Sequence, residues 1–273
     1  MIEAPYPELD DLLTQIGEAG QRLSHIDASE GAAGNISVYI GWAIEPRNRF
    51  PLVEEVELPQ PVPELAGGAF LVTGSGRRLR EIIQQPTANL GLLVINDGGK
   101  TGMLYTSQQR LFTKLTSEFN SHLAVHYEQI LRSGTNFHAL IHAQPPYITY
   151  LSHIPRYRDA LYLSRRVLRW QPEMILQLPE GIGIVPFTLP GSAQLMADTV
   201  DTLNERRIVV WSKHGVMARS DVSVKRACDR IEYTEAGSRY EVMDIGAGGI
   251  GEGLTVEEIR DICTAFGIQQ SIF

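Results

Sequence analysis

The stretch Phe70-Leu-Val-Thr-Gly-Ser-Gly76 governs how the rest of this chain is read. Four residues of buried-strand type run straight into three small ones, so an extended segment ends in a turn whose backbone no side chain covers. Such a strand end presents consecutive N–H groups in a concave nest suited to an anion, although a tight turn that needs glycine is an equal reading of these residues alone. Arg77, Arg78 and Arg80 follow at once. They bring positive charge, but three solvated arginines on one face are the plainer account.

On the N-terminal side, Leu9, Leu12, Leu13, Ile16 and Ala19 recur at helical spacing and predict an amphipathic helix ending near Gly20 or His25. The small-residue turn Gly31-Ala-Ala-Gly34 leads into a predicted strand, Asn35 to Ile40. Between Glu45 and Pro63 five prolines break any regular element, which predicts a surface excursion. On the C-terminal side, Leu90 to Ile95 reads as a strand closed by the turn Asn96-Asp-Gly-Gly. A helix over Thr116 to Arg132 is predicted, with Thr116 or Ser117 as its N-cap, and then a strand over Ala139 to His142 that Pro145-Pro146 stops. A helix from Ser192 to Glu205 leads to the strand Ile208 to Trp211 and the turn Lys213-His-Gly215. Two helices close the chain, Val222 to Val242 and Val256 to Phe266, the second behind a Thr255-x-x-Glu258 capping box. Strands and helices mix without strict alternation, which predicts an α/β fold with a mixed sheet.

The composition narrows the function classes. With 24 Lys+Arg against 32 Asp+Glu the net charge of the 273 residues is −8, which argues against a nucleic-acid surface. An anionic ligand then needs donors concentrated in one place. Two cysteines, Cys228 and Cys263, make no disulfide framework and suit a reducing compartment. No secretion signal and no apolar run of membrane-spanning length is readable, so a cytoplasmic protein without a membrane partner is expected. Gly246-Ala-Gly-Gly-Ile-Gly251 spells G-x-G-x-x-G, but it follows a long predicted helix instead of a first strand and reads as an interhelix loop.

His142 and Gln144, two apart near a strand end, point to one face. A pair of histidines so spaced would grip a metal from two sides; His-x-Gln is half of that grip. His214 lies just past a buried-type strand, where side chains emerge at a sheet end, and Glu118 opens its helix. Each has an ordinary structural reading by itself.

Taken in order, Gly34-Asn35 before a strand, Val72 to Gly76, Thr116-Ser-Glu118 opening a helix, Ile141-His142 and His214-Gly215 resemble the class II aldolase family of zinc-dependent sugar-phosphate aldolases. Pro86-x-x-Asn-Leu-Gly91 and Pro179-Glu-Gly-Ile-Gly183 extend the likeness over nearly the whole chain. The resemblance implies one three-layer α/β domain over residues 1–273, its central mixed, largely antiparallel sheet flanked by helices. It implies homotetramers with active sites between subunits. Asn35, Ser75, Gly76 and Ser117 match positions that hold the substrate phosphate, and Glu118 matches the catalytic acid/base, with a carboxyl raised toward neutrality. Glu173 resembles a second carboxylate contributed across the subunit interface. His142 and His214 match two of three zinc ligands, and Gln144 stands where the third, a histidine, is found; an amide oxygen is a weaker ligand, so zinc affinity is expected to drop. Ala32 likewise replaces a phosphate-binding asparagine. The reaction implied is reversible cleavage of a ketose 1-phosphate to dihydroxyacetone phosphate and an aldehyde, with a divalent metal, zinc in the family, as Lewis acid. Alternatives on the same scaffold are an epimerase, a dehydratase or a non-catalytic adducin-like assembly module, the last favoured by Gln144 and Ala32.

Overall fold

Strands β1 (Asn35–Ile40) and β6 (Phe137–Ala143) are buried at every position, because each face of the sheet they share carries its own layer of helices. Alternation sorts their side chains between those layers. Ile36, Val38, Ala139 and Ile141 pack with Leu12, Ile16 and Leu23 of α1 (Leu9–His25) and Ile231 of α9 (Val224–Gly246). The intervening residues look the other way, where Tyr39 meets Phe119 and Leu123 of α4 (Phe119–Ser133), and Leu140 meets Val125 and Leu203 of α8 (Ala193–Glu205). Burying one such aliphatic or aromatic side chain contributes about 1.5–3 kcal/mol, so the two-sided burial fixes the register of the central strands.

The computed structural model describes residues 1–273. Its sheet has nine strands in the order β2-β5-β4-β3-β1-β6-β9-β8-β7, and every pairing is antiparallel except β7 with β8. The remaining strands are β2 (Leu52–Glu57), β3 (Ala69–Thr73), β4 (Leu90–Ile95), β5 (Thr101–Thr106), β7 (Gly183–Val185), β8 (Ile208–Trp211) and β9 (Gly215–Ser220). Short helices α2 (Leu79–Ile82) and α3 (Pro86–Asn89) join β3 to β4. Helices α5 (Pro146–His153), α6 (Ala160–Leu168) and α7 (Pro172–Gln177) lie between β6 and β7, and α10 (Val256–Ala265) ends the fold. The mixed, largely antiparallel sheet between helical layers is the expected fold class. No helix is long and apolar enough to cross a membrane.

Several local expectations need correction. The proline-rich excursion contains β2, an almost fully exposed edge strand between Pro51 and Pro59 that pairs only with β5. Prolines tolerate that position because one side of an edge strand needs no ladder donor. Helix α4 starts one residue after Glu118, which occupies the N-cap position without a side-chain cap bond, so neither Thr116 nor Ser117 caps it. Ser192, Ser223 and Thr255 do cap their helices, the last in the expected box with Glu258. The G-x-G-x-x-G run is a loop: α9 ends at Gly246, and Gly248 and Gly249 take φ of +90° and +76°.

Candidate active site

Antiparallel pairing brings one end of each central strand to the same edge of the sheet. Asn35 at the start of β1 stands opposite His142 near the end of β6, and β3 runs out beside them into Gly74-Ser75-Gly76. The tight β8–β9 turn, with Lys213 at φ +64° and its N–H donating to Ser152 Oγ, delivers His214 to that edge. A bridge between Gly74 and Leu115, flanked by Ser75 N–H to Lys114 O and Thr116 N–H to Thr73 O, pins the start of α4 against the β3 loop. Gly34 has φ +85°, and a Cβ there would lie 2.8 Å from the His142 carbonyl oxygen; the close approach of the two strands depends on its bare backbone.

The result is a cavity of about 170 Å³. Ala32, Asn35, Ser75, Gly76, Ser117, Glu118, His142, Gln144 and His214 line it, together with Arg77. Every site residue that the family resemblance implied is there except Glu173, which is exposed in the first turn of α7 and lies outside this cavity, as do Arg78 and Arg80. Gln144 reaches the site by a different route from the one its spacing suggests: β6 ends at Ala143, and the Gln144 N–H has left the ladder to donate to Ala28 O. The expected nest of free N–H groups is mostly spent, since Gly74 and Ser75 donate to Asn89 O and Lys114 O. Gly76 N–H makes no such bond, and with the Ser75 and Ser117 hydroxyls it supplies the donors for an anion. Arg77 lies at the wall, tied by Nε to Asn89 and by Nη2 to Glu81.

Glu118, 6% exposed, is held on three sides. Asn35 Nδ2 donates to Oε2 at 2.8 Å, His142 Nε2 lies 3.6 Å from Oε2, and His214 Nε2 lies 3.6 Å from Oε1. Burial pushes the carboxyl up, but His142, the Asn35 amide, His214 and His122 outweigh it, so Glu118 stays below its ordinary value. The rise toward neutrality expected from sequence is therefore absent from these surroundings, because two imidazoles and an amide favour the anion. Burial, with His142 beside it, drives His214 down to about 4 against the pull of Glu118. A neutral ring keeps a lone pair for a cation.

The donor set fits a divalent metal. Ligand atoms of Glu118, His142 and His214 all lie within 4.8 Å of one another. His142 Nδ1 is bonded to Val216 O at 2.9 Å and the ring stacks on Trp211 at 4.6 Å, which leaves Nε2 facing the cavity in a fixed orientation. Asn35 Oδ1 and His214 Nδ1 are buried without a protein partner, polar atoms that a bound group would satisfy.

A carboxylate between two imidazoles beside hydroxyl and N–H donors defines a class of protein: a metal-dependent class II aldehyde-lyase. The chain belongs to the Class II Aldolase and Adducin N-terminal domain family, which matches residues 14–242. It is 29% identical over 248 residues to a rhamnulose-1-phosphate aldolase of Yersinia pseudotuberculosis serotype O:1b (strain IP 31758), with 89% of each chain covered. A rhamnulose-1-phosphate aldolase of Enterobacter sp. (strain 638) is 28% identical over 214 residues, 78% of this chain and 76% of that one. Among solved structures, a sugar-phosphate aldolase of Thermotoga maritima superposes with a TM-score of 0.74 at 26% identity, over 88% of this chain and 97% of that one.

Four polar residues behind the cavity were not read from the sequence. Ser37, His122, His126 and His138 are fully buried and bonded to one another. The histidines have no metal-ligand spacing; the signal available was that His122 and His126 share the face of Glu118 at intervals of four.

Proposed function

We propose that this protein cleaves L-rhamnulose 1-phosphate, or a similar ketose 1-phosphate, reversibly to dihydroxyacetone phosphate and L-lactaldehyde. The observation that carries this reading is the Glu118 carboxylate, 3.6 Å from both His142 Nε2 and His214 Nε2 in a cavity that also holds Ser75, Gly76 and Ser117. The likeness to rhamnulose-1-phosphate aldolases supports the substrate.

In this reading His142, His214 and the Gln144 amide oxygen hold a divalent ion, zinc or a harder cation. When bound, the ion supplies Lewis acidity against the negative charge that develops on the ketose oxygen as the C3–C4 bond breaks. Ser75, Ser117, Asn35 and the Gly76 N–H hold the phosphate, so that an acidic chain binds an anion with neutral donors. Glu118 carries the proton to and from the nucleophilic carbon, and Asn35 keeps the carboxylate oriented by donating to Oε2. Glu173 of a neighbouring copy supplies a second carboxylate, in a homotetramer of cytoplasmic location.

The test is release of dihydroxyacetone phosphate from L-rhamnulose 1-phosphate by zinc-loaded protein, followed through its reduction by a coupling dehydrogenase. Chelation should abolish release, and borohydride with substrate should leave activity intact because no lysine imine forms. Turnover to an epimer or a dehydrated sugar, with no triose released, would replace the aldolase reading with another reaction on this scaffold.

A further inference from the structure

Beneath Glu118 the protein keeps a polar column where packing alone would place apolar side chains. Helix α4 presents Glu118, His122 and His126 at intervals of four, and β1 presents Asn35 and Ser37 at intervals of two on the facing side. Four helical residues rise about 6 Å and two strand residues about 6.6 Å, so the two series keep step. Asn35 meets Glu118, and one step deeper Ser37 meets both rings, its Oγ 2.6 Å from His122 Nδ1 and 2.7 Å from His126 Nε2. β6 follows the same rule, with His142 at the cavity and His138 four residues deeper, its Nδ1 2.8 Å from His126 Nδ1. All four residues of the deep layer have no exposure, and the chain ends in two unpartnered nitrogens, His122 Nε2 and His138 Nε2. Buried polar groups without partners are rare, and rings of the same size without nitrogen would leave none.

Proton accounting makes the chain a single unit. Burial drives His122 and His138 down to about 3 and His126 well below its ordinary value, with Arg219 and Arg230 adding to the effect on His138, so each ring is neutral at pH 7. A neutral imidazole has one N–H and one bare nitrogen. If His138 donates to His126 Nδ1, then His126 gives its Nε2 proton to Ser37, Ser37 donates to His122 Nδ1, and His122 carries its own proton on Nε2. The opposite direction moves each proton one place and leaves His122 Nε2 bare. In either case the tautomer of His122, one helical turn from Glu118, is coupled to the proton positions on three residues that never touch the cavity.

We propose that Ser37, His126 and His138 are positioning residues for proton transfer by Glu118: acting through His122 they couple its neutral tautomer to the direction of the whole chain and fasten the start of α4 to β1. The inference rests on the aldolase reading of Glu118. His126→Leu cuts the chain at its middle without reaching the cavity. It should lower kcat for dihydroxyacetone phosphate release about tenfold or more, with KM and bound metal unchanged. His126→Gln, which restores one donor and one acceptor, should recover much of the loss. In native protein carrying 15N-labelled histidine, the His122 signals should report a neutral ring of one tautomer at pH 7, and His126→Leu should alter them; His138→Gln serves the same purpose if that variant does not fold. Native kcat in folded His126→Leu, a charged His122 at pH 7, or His122 signals indifferent to these substitutions would overturn the proposal. Absence of triose release by the native enzyme would instead strike the aldolase reading, since the histidine spectra do not depend on turnover.

Discussion

Glu118 is oriented by one amide and faced by two imidazoles, so its substitution separates chemistry from structure. Glu118→Gln keeps the volume and an oxygen for the Asn35 amide, and loses the group that moves a proton. Cleavage should fall by about 10²–10⁴-fold in kcat, with the circular dichroism spectrum unchanged. Gln144 offers the converse experiment, a gain. Changes in the outer shell of a metal site typically alter affinity about 10–100-fold, so replacing a neutral amide by imidazole in Gln144→His should tighten zinc at least about tenfold, as read by competition with a chelating dye. Unchanged affinity would mean that Gln144, although it lines the cavity, does not face the ion. The identities of Glu118, His142 and His214 were legible in the sequence through the order of motifs that resembles the class II aldolase family, since each residue by itself has an ordinary structural reading. The state of Glu118 was not, since it depends on Asn35, 83 positions away, and on rings from β6 and from the β8–β9 turn.

Helix α5 shows how an element is held by something its own sequence does not contain. It has eight residues and lacks a side-chain cap of its own. Its first N–H groups instead donate to Glu235 on α9, Tyr147 N–H to Oε1 at 2.9 Å and Ile148 N–H to Oε2 at 3.0 Å. Burial raises Glu235 to about 7 in spite of those bonds. Because the folded value lies above the unfolded one, the favourable contribution is complete below about pH 4.5 and is lost as pH rises through about 7. The loss from this group totals on the order of 3 kcal/mol between about pH 4.5 and 7, of which about 1 kcal/mol falls between pH 6 and 8, so urea midpoints should decline over the latter range and the decline should shrink in Glu235→Gln. Short helices such as α5 and α7 escaped the sequence reading because each opens on a proline and runs eight residues or fewer, too short for a long periodic face. The edge strand β2 escaped it because exposed residues carry no alternation.

The whole molecule has a second pH limit, on the acid side. His122, His126 and His138 are neutral when folded and take up protons when unfolded, near their ordinary value of about 6.5. Their contribution is complete above that value and is lost as pH falls, with a slope on the order of 4 kcal/mol per pH unit near pH 5 for three protons. Urea titrations from pH 7 to 4.5 should show this fall, and it should be shallower in His138→Gln. Assembly gives a separate prediction. Glu173 is exposed and outside the cavity of its own chain, as a residue serving a neighbour would be. Glu118→Gln and Glu173→Ala, each inactive or nearly so alone, should regain activity when unfolded together and refolded as mixed oligomers. If mixing restores nothing, Glu173 does not act across an interface.

What the sequence determined by itself was the set of elements with clear periodicity and the residue types at their ends: α1, β1, β3, β4, α4, β6, α8, β8, α9 and α10, with Ser75, Gly76, Glu118, His142 and His214 at or beside their boundaries. Local spacing and small-residue turns encode these directly. Only the tertiary structure decided that antiparallel pairing gathers those ends at one edge, that Gln144 reaches the cavity from outside the sheet, and that three histidines with ordinary spacing form one buried chain behind Glu118. Hydrogen-bond partners and desolvation are properties of neighbours in space, and residues distant along the chain supply most of them here.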